Sequence, residues 1–377
     1  MKENLIVLFG GVSSEHDISI ISALQAIKNV DTNFYNVIPV YLAKNYKWYV
    51  GKDLLDLQFY ININFKKLTE VCLMSGSNFL YFKKYGVFKP KIKIDVALPI
   101  LHGVNGEDGK IASLLTLSGV PCCCSDSVSS AVAIDKSVFK SYLKGLGVRC
   151  VDGETIIDYQ FKKNPQQVIE NLKLNIGYPL IVKPSTLGSS IGISVCNCED
   201  ELIKALELGF KLSEKVLVEK FLVGVTEVNV ALLFDDGKIV ESELEQPVKG
   251  DEILSFNNKY LNNENSMVGV SRIVPAPISV EDKDCIISIA KLVYSNLNMR
   301  GVVRFDFMIC GGEVYLNEVN TIPGSLAFYL FKPKNISYKN LLDLLIKNGY
   351  VQFNNLQSKN YVFDSSVLKS GGEGLKK

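Results

Sequence analysis

Apolar residues along this chain alternate between short continuous runs and segments with helical periodicity. Residues 5–9 form an apolar run that ends at two glycines and leads into apolar positions at helical spacing, and residues 94–101 lead through a polar loop into the apolar segment 111–117. Ser14 is expected to cap the first of these helices, with Asp17 three residues later. Strands that alternate with helices predict an α/β fold with a mostly parallel sheet, whose ligands collect where the strands end.

The spacing of apolar residues changes after residue 125. It predicts helices at 125–147, 199–208 and 337–347, strands at 179–183, 193–196, 215–221, 227–234 and 238–246, and a hairpin over 301–320. Residues 249–271 are polar and without periodicity, which indicates a long functional loop. Ser279 and Asp282 have the spacing of a helix cap, and the last helix is expected to end at Gly349.

Composition limits the possible functions without identifying one. Apolar residues make up 47% and charged residues 21% of the 377 residues, which is enough for a packed core in two or three domains. Lys and Arg total 41 against 40 Asp and Glu, so the net charge of +1 offers no broad positive field to nucleic acid or anionic lipid. Because the chain contains only two histidines, a metal site built from several histidines is excluded.

The chain has no sequence feature of a membrane or secreted protein. Its N-terminal apolar run is too short for a signal peptide, and no stretch approaches the roughly 18 uninterrupted apolar residues of a membrane span. The nine cysteines include three consecutive ones, Cys122, Cys123 and Cys124, and free thiols in a reducing compartment are the simplest interpretation. We therefore expect a soluble, cytoplasmic protein with no nucleic-acid or membrane partner.

Four polar residues near the C-terminal end occupy alternate strand positions, Arg304 and Asp306 on one predicted strand and Glu318 and Asn320 on the next. Residues two apart on a strand face the same side. The two pairs meet only if the connecting loop has an odd number of residues, whereas a two-residue glycine turn would place Asp306 opposite Asn317. Two carboxylates and an amide suit a hard cation such as Mg²⁺. The alternative is a solvent-facing hairpin with scattered polar groups.

Lys183 ends an apolar strand and precedes a loop rich in glycine and serine at residues 188–192. A lysine beside a run of backbone N–H groups is a common arrangement for binding phosphate oxygens. The same pattern is compatible with an ordinary hairpin turn. Lys136, Glu219 and Lys220 are by themselves no more informative than surface charges.

The two N-terminal strand-to-helix loops contain Glu15 and His102, and the second also contains Glu107 and Asp108. Carboxylates in these loops suit the ammonium group of a small zwitterionic ligand. Glu15 is equally compatible with a first-turn residue that the helix dipole favours. His102 is either a general base or, as is more common, a loop histidine held by hydrogen bonds.

Taken in order, these motifs resemble the D-alanine–D-alanine ligase family of the ATP-grasp superfamily. The match runs over nearly the whole chain and comprises Gly-Gly-Val-Ser-Ser-Glu-His at 10–16, Leu-His-Gly-Val-Asn-Gly-Glu-Asp-Gly at 101–109, Asp-Lys at 135–136, Val-Lys-Pro at 182–184, Gly-Ser-Ser-Ile-Gly at 188–192, Glu-Lys at 219–220, Glu227, Lys-Tyr at 259–260, Pro-Ala at 275–276, Arg-Phe-Asp at 304–306 and Asn-Glu-Val-Asn-Thr-Ile-Pro-Gly at 317–324.

The resemblance implies an ATP-grasp fold of two α+β subdomains, preceded by an N-terminal, mostly parallel α/β domain. The expected boundaries are 1–125 for the N-terminal domain, 126–226 for the central subdomain, and 227–377 for the C-terminal subdomain with the metal site and a mobile loop. The implied activity is ATP-dependent joining of two D-alanines through a D-alanyl phosphate, for peptidoglycan synthesis. The family also implies two Mg²⁺ ions, for which Mn²⁺ is a possible substitute, and a homodimer.

The family's residue roles carry over to the matching positions. Glu15, Ser189 and Tyr260 would form a hydrogen-bonded set around the first D-alanine, with His102 near its carboxylate. The resemblance further implies ATP contacts from Lys136, Lys183, Ser189, Glu219, Lys220, Leu222, Glu227 and Lys259, metal ligation by Asp306, Glu318 and Asn320, and stabilisation of the tetrahedral oxyanion by Arg304 and the N–H of Gly324. Ser325 and Tyr329 would lie at the second substrate.

The chain departs from the family pattern after Gly324. The family usually has a serine five residues after this glycine, and that serine helps to hold the carboxylate of the second substrate, but here the position is Tyr329. Ala112 and Ser113 replace a familiar Gln-Gly pair on the helix after the second loop. Tyr329 motivates the alternative of an ATP-grasp ligase with a different acceptor, either an amino acid or a hydroxy acid. A nucleotide-binding sensor on the same scaffold is the non-enzymatic alternative.

Overall fold

The computed structural model describes residues 2–248 and 271–362. Within these residues the strands form a seven-stranded sheet, two four-stranded sheets and a two-stranded sheet. The predicted loop at 249–271 lies outside the described residues except for its last position. The α/β fold class is confirmed.

The N-terminal sheet has the strand order β6-β5-β4-β3-β2-β1-β7. Its strands are β1 Glu3–Gly10, β2 Tyr35–Leu42, β3 Trp48–Val50, β4 Thr69–Met74, β5 Ser77–Lys84, β6 Val87–Lys93 and β7 Val96–Ile100. Only the pairings of β1 with β2 and with β7 are parallel, and the strands from β2 to β6 pair antiparallel. The sheet is therefore mixed rather than mostly parallel, because no helix long enough for a crossover separates β2 to β6.

The apolar run in β1 is buried on both faces of this sheet. Leu5, Val7 and Phe9 pack with helix α1 (His16–Ile27) and with the last helix, while Ile6 and Leu8 pack with helix α2 (Lys110–Leu117). The expected cap at Ser14 is wrong, since α1 begins at His16 and has Glu15 in the N-cap position.

The central sheet is antiparallel and has the order β10-β9-β11-β8. Its strands are β8 Gly153–Ile157, β9 Leu180–Pro184, β10 Ser194–Cys196 and β11 Lys215–Lys220. Five helices belong to this part of the chain: α3 Ser127–Ile134, α4 Lys136–Gly145, α5 Asp158–Lys163, α6 Pro165–Asn175 and, after β10, α7 Glu199–Leu212. The predicted strands and helices in this region are confirmed.

The C-terminal sheet has the order β13-β12-β16-β17, again antiparallel. It comprises β12 Thr226–Asp235, β13 Lys238–Glu241, β16 Val303–Cys310 and β17 Glu313–Asn320, and β14 Gln246–Pro247 pairs with β15 Arg272–Ile273 beside it. Helix α8 (Val280–Asn296) packs on this sheet and begins at the predicted cap, where the N–H of Asp282 donates to Ser279 Oγ at 3.0 Å.

The last two helices, α9 (Phe328–Phe331) and α10 (Tyr338–Gln357), return to the N-terminal sheet. The expected end of α10 at Gly349 is wrong, because the helix continues through this residue. A Cβ at Gly349 would lie 3.1 Å from the carbonyl oxygen of Cys122 and 3.2 Å from Cys123 Sγ. The glycine therefore permits close approach of the helix to the cysteine run. All nine cysteines are free, as expected.

Candidate active site

A cavity of about 570 Å³ lies between the three large sheets. Each sheet contributes polar side chains to its wall: Glu15 and His102 come from loops of the N-terminal sheet, Lys183 from β9, and Arg304 and Asp306 from β16. The residues that the sequence singled out in separate segments therefore converge on one space.

The acidic hairpin reaches its register by a route that differs from the expected one. Its turn has two residues, because Cys310 pairs with Glu313, yet Asp306 pairs with Glu318 and not with Asn317. A bulge between Asp306 and Phe307 supplies the odd residue, since Phe307 pairs with Leu316 and Asn317 is left over. The condition of an odd loop was therefore wrong, while the expected meeting of the four polar residues is correct.

Within the hairpin, Arg304 donates from Nε and Nη2 to the two carboxylate oxygens of Asp306, each at 2.7 Å. Asn320 Nδ2 donates to the same carboxylate at 3.0 Å, and Glu318 lies 3.6 Å from Lys136 Nζ. Burial raises the pKa of Asp306 to about 6 against the opposing effect of Arg304. The solvent-facing alternative for this hairpin is wrong, since its polar face lines the cavity.

The donor set of the hairpin fits a hard cation. Asp306, Glu318 and Asn320 offer two carboxylates and an amide oxygen on one face, which is the oxygen-only chemistry that Mg²⁺ prefers. Within residues 2–248 and 271–362, no group of three His, Cys, Asp or Glu side chains is placed to hold a metal, so any ion here depends on the amide or on further oxygens.

Two lysines of the predicted phosphate site lie close to the hairpin. Lys183 is 8% exposed, and its Nζ lies 2.6 Å from Glu219 Oε2 and 3.3 Å from Asn317 Oδ1. Lys136 Nζ donates to the carbonyl of Leu187 at 2.7 Å. The loop at 185–193 joins the antiparallel strands β9 and β10 and also lines the cavity, so the hairpin and phosphate-loop interpretations are compatible.

Glu219 is fully buried between two lysines, one of which the sequence analysis missed. Lys140 Nζ lies 2.7 Å from Glu219 Oε1 while Lys183 holds Oε2, and Lys140 is only 5% exposed. Burial alone would raise the pKa of Glu219, but the two lysines outweigh it and lower the pKa. Burial lowers the pKa of Lys140. In sequence, Lys140 is an ordinary lysine of an amphipathic helix.

The strand end after Glu219 forms another part of the cavity wall. Lys220 donates from Nζ to the carbonyls of Gly177 and Tyr178 at 3.1 and 2.8 Å. Leu222 and Glu227 also line the cavity. The carboxylate of Glu219 is engaged by the two lysines and is therefore not available to a ligand at this edge.

Glu15 and Ser189 meet across the cavity, although 174 positions separate them in sequence. The Ser189 hydroxyl donates to Glu15 Oε1, and Gly103 and Gly188 approach the same carboxylate so closely that a Cβ at either would lie 2.7 or 3.2 Å from it. Glu15 therefore lies at the start of the helix and also faces the cavity. The two interpretations of this residue, as one favoured by the helix dipole and as a ligand-binding carboxylate, are compatible.

Both ring nitrogens of His102 have partners. Nδ1 lies 2.7 Å from the Ile322 carbonyl oxygen, which requires an N–H there, and Nε2 then accepts from Ser22 Oγ at 2.9 Å. Burial lowers the pKa of His102 despite the opposing effect of Glu15. The ring is therefore neutral, with a hydrogen bond at each nitrogen. This matches the alternative of a loop histidine held by hydrogen bonds, and not that of a general base.

Glu107, expected as a possible partner of a ligand ammonium group, is instead engaged by two backbone N–H groups. Its two carboxylate oxygens accept from the N–H of Gly103 at 2.8 Å and from the N–H of Ile322 at 3.0 Å. Burial, with a further contribution from Glu15, raises the pKa of Glu107 to about 8. The side chain thus ties the second N-terminal loop to the turn after the hairpin.

The turn after the hairpin positions the remaining predicted residues. Gly324 and Ser325 line the cavity, and the N–H of Ser325 donates to Ser22 Oγ at 2.9 Å while its hydroxyl donates to Gln25 at 2.6 Å. Tyr329 also faces the cavity, and its hydroxyl donates to Glu245 at 2.9 Å. Lys259 and Tyr260 lie outside the described residues.

Two cavity-lining lysines, an acidic hairpin and three sheets around one cavity define the class of the protein as an ATP-grasp ligase. The family model described as "D-ala D-ala ligase N-terminus" matches residues 4–125, and "D-ala D-ala ligase C-terminus" matches residues 142–347. The D-alanine--D-alanine ligase of Thermosipho melanesiensis is 35% identical over 370 residues, which cover 97% of this chain and 98% of the relative. The chain belongs to the D-alanine–D-alanine ligase family.

Solved structures agree with this assignment. The D-alanine-D-alanine ligase from Helicobacter pylori is 32% identical with a TM-score of 0.74, covering 92% of this chain and 98% of that one. The VanG D-Ala:D-Ser ligase from Enterococcus faecalis is 27% identical with a TM-score of 0.78, covering 93% of this chain and 100% of that one.

Among the helices of residues 2–248 and 271–362, none has the length and apolar character needed to cross a membrane.

Proposed function

We propose that this protein joins two D-alanine molecules, at the expense of ATP, to form D-alanyl-D-alanine for peptidoglycan. The observation that carries the proposal is the convergence of the Glu15–Ser189 pair, two phosphate-type lysines and the acidic hairpin on one cavity. A carboxylate does not react with an amine until it is activated, and the cavity has groups for holding both a small zwitterion and a polyphosphate.

The first D-alanine binds between the two N-terminal loops. The Glu15 carboxylate receives the ammonium group, and Ser189 fixes that carboxylate by its hydrogen bond. His102, whose pKa is lowered by burial and whose ring is hydrogen-bonded to Ile322 and Ser22, lies beside the substrate carboxylate. We assign Tyr260 the role that the family resemblance gives it around the first D-alanine. Positioning of this kind converts a bimolecular encounter into a reaction within one site.

ATP occupies the cavity between the central and C-terminal sheets. Lys136 and Lys183 contact its phosphates, where their charge offsets the charge of the transferring phosphoryl group. The adenine edge contacts the backbone at Glu219, with Lys220 and Leu222, and Glu227 contacts the ribose. Lys259 belongs to the phosphate contacts, and Ser189 to the loop that covers them.

Asp306, Glu318 and Asn320 would hold Mg²⁺, with two ions in the family pattern and Mn²⁺ as a substitute. Their oxygen donors fit such an ion, which when bound supplies positive charge at the phosphates. Arg304 now pairs with Asp306, and its guanidinium and the N–H of Gly324 stabilise the oxyanion formed when the second amine attacks.

We also propose the setting of the enzyme. It is a cytoplasmic homodimer with D-alanine and ATP as its small-molecule partners. Each subunit has domain boundaries at about residues 125 and 226. Exposed apolar side chains on the N-terminal domain, among them Phe34, Tyr46 and Tyr85, are compatible with a contact between subunits.

The test measures ADP release and identifies the peptide product with D-alanine or L-alanine as substrate. We expect D-alanyl-D-alanine from D-alanine only. Glu318→Gln is expected to lower turnover at least a hundredfold, whereas Glu313→Gln on the exposed turn of the same hairpin leaves it unchanged. Normal turnover by Glu318→Gln would contradict the assigned metal site, and no turnover with D-alanine would contradict the function.

A ligase with another acceptor is the second candidate, because Tyr329 replaces the usual serine at the second-substrate position. A panel of D-amino acids and D-lactate, each offered with limiting D-alanine, distinguishes the two. Preferential formation of a mixed product would favour the second candidate.

A further inference from the structure

Three side chains form a polar cluster in the cavity wall beside Arg304: Tyr329, Glu245 and Arg272. The hydroxyl of Tyr329 donates to Glu245 Oε1 at 2.9 Å, and Asn229 Nδ2 donates to the same oxygen at 3.0 Å. Arg272 Nε lies 3.5 Å from Glu245 Oε2, and its guanidinium carbon lies 4.4 Å from the centre of the Tyr329 ring. These three residues and Asn229 line the cavity.

Within this cluster, Glu245 positions Tyr329 and Arg272 and does not itself bind substrate. Its side chain is only 2% exposed, and both of its oxygens face protein groups. A buried carboxylate is stable only when it is paired, so Arg272 and Glu245 depend on each other. The Tyr329 hydroxyl is used by Glu245, so it cannot take over the role of the serine that it replaces.

The guanidinium of Arg272 has its two terminal nitrogens available to a ligand, as far as the described residues show. Its side chain is 26% exposed, and within the described residues its two terminal nitrogens form no hydrogen bond. By contrast, Arg304 is committed to Asp306 by two bonds, and Lys183 is paired with Glu219. A guanidinium with a free planar edge matches the two oxygens of a carboxylate.

We propose that Arg272 binds the carboxylate of the acceptor amino acid, and that Glu245 and Tyr329 position it. The cation lies on the Tyr329 face, which also closes the subsite against bulky side chains, so the acceptor class is a small α-amino acid with a free carboxylate. This inference rests on the proposed function and assigns its second-substrate subsite to residues other than the serine position.

In the coupling step, the amine nitrogen of the acceptor, once deprotonated, bonds to the acyl carbon of the D-alanyl phosphate. The C–O bond to phosphate breaks, and phosphate leaves with the electron pair. Hydroxylamine attacks the same carbon but has no carboxylate, so its reaction, which yields a hydroxamate, needs no acceptor carboxylate site. Comparing the two nucleophiles isolates the contribution of Arg272.

The experiment measures dipeptide formation and hydroxamate formation by the wild-type enzyme and by Arg272→Gln. We expect the KM for the acceptor D-alanine to rise about 10- to 100-fold, since a charged hydrogen-bond pair is lost. Hydroxamate formation and the KM for ATP should stay within twofold of the wild type. Arg149→Gln, outside the cavity and on an exposed ion pair, is the matched control.

Glu245→Gln tests the positioning role separately. It should raise the acceptor KM by a smaller factor and leave the hydroxamate rate unchanged, a split that a general folding defect would not produce. Parallel loss of both reactions in Arg272→Gln, or an unchanged acceptor KM, would overturn the proposal. Failure of the wild type to form either product would instead refute the proposed function, and this inference with it.

Discussion

The buried triad of Lys140, Glu219 and Lys183 gives the sharpest prediction about this fold. Glu219 is completely buried, with Lys140 at 2.7 Å from one oxygen and Lys183 at 2.6 Å from the other. Lys140→Met removes one cation while preserving most of the apolar length of the side chain. It leaves a buried carboxylate with a single partner.

The cost follows from this geometry. At 2.7 Å and an effective dielectric constant near 20, the direct attraction between Lys140 and Glu219 is about 6 kcal/mol, part of which is offset by the cost of burying both charges. Breaking a buried pair by removing one partner costs roughly 3–5 kcal/mol. Because Lys183 still compensates Glu219, we expect the free energy of unfolding to fall by about 3 kcal/mol.

Urea unfolding followed by circular dichroism measures this loss. The matched control is Lys144→Met on the same helix, since Lys144 is 53% exposed and only loosely paired with Asp152, and it should cost less than about 1 kcal/mol. The triple variant Lys140→Met, Glu219→Met, Lys183→Met should regain much of the stability, because it removes all three charges of the triad and leaves none of them unpaired. Equal losses for Lys140→Met and Lys144→Met would refute the reasoning.

Two further predictions concern the N-terminal loops. Ser189→Ala removes the hydroxyl that fixes Glu15, so the KM for the first D-alanine should rise at least about tenfold; Ser295→Ala, on an exposed helix face, is the control in the same steady-state assay. Burial raises the pKa of Glu107 to about 8, so the unfolded chain releases this proton near its ordinary pKa while the folded protein retains it. Stability should therefore fall between pH 5.5 and 8.5, by on the order of 3 kcal/mol more in the wild type than in Glu107→Gln, as unfolding curves at several pH values would show. An identical pH slope for both proteins would contradict the raised pKa.

Much of the fold was readable from the sequence because the apolar runs are long and their ends are marked. The run in β1, the cap at Ser279 and the helix over residues 199–208 each follow a local pattern that packing preserves. The antiparallel strands of the N-terminal sheet were missed because they are half-exposed and their apolar pattern is weak. Gly349 was wrongly predicted to end a helix. A glycine is needed there because the helix approaches Cys122 closely, and no local pattern indicates such a contact.

The site was partly predictable for a related reason. Arg304, Asp306, Glu318 and Asn320 alternate along two strands, so their shared face is visible in sequence, but the bulge at Asn317 that aligns them is a three-dimensional feature. The alternation along the strands therefore predicted correctly that the four side chains meet, whereas the expected loop with an odd number of residues was wrong.

Residues that act by burial were not visible at all. Lys140 and Glu245 look in sequence like exposed charges, and only the fold brings Glu219 or Arg272 against them. A charged residue carries no local signal of whether it will be buried beside a partner distant in the chain.

The central claim is that ATP activates the carboxylate of D-alanine within this cavity. Turnover of ATP with D-alanine labelled with ¹⁸O in its carboxylate tests it most directly, because an acyl phosphate passes one carboxylate oxygen to inorganic phosphate when the amide forms. We predict one ¹⁸O in the released phosphate for each dipeptide made. Dipeptide formation with unlabelled phosphate would contradict the account.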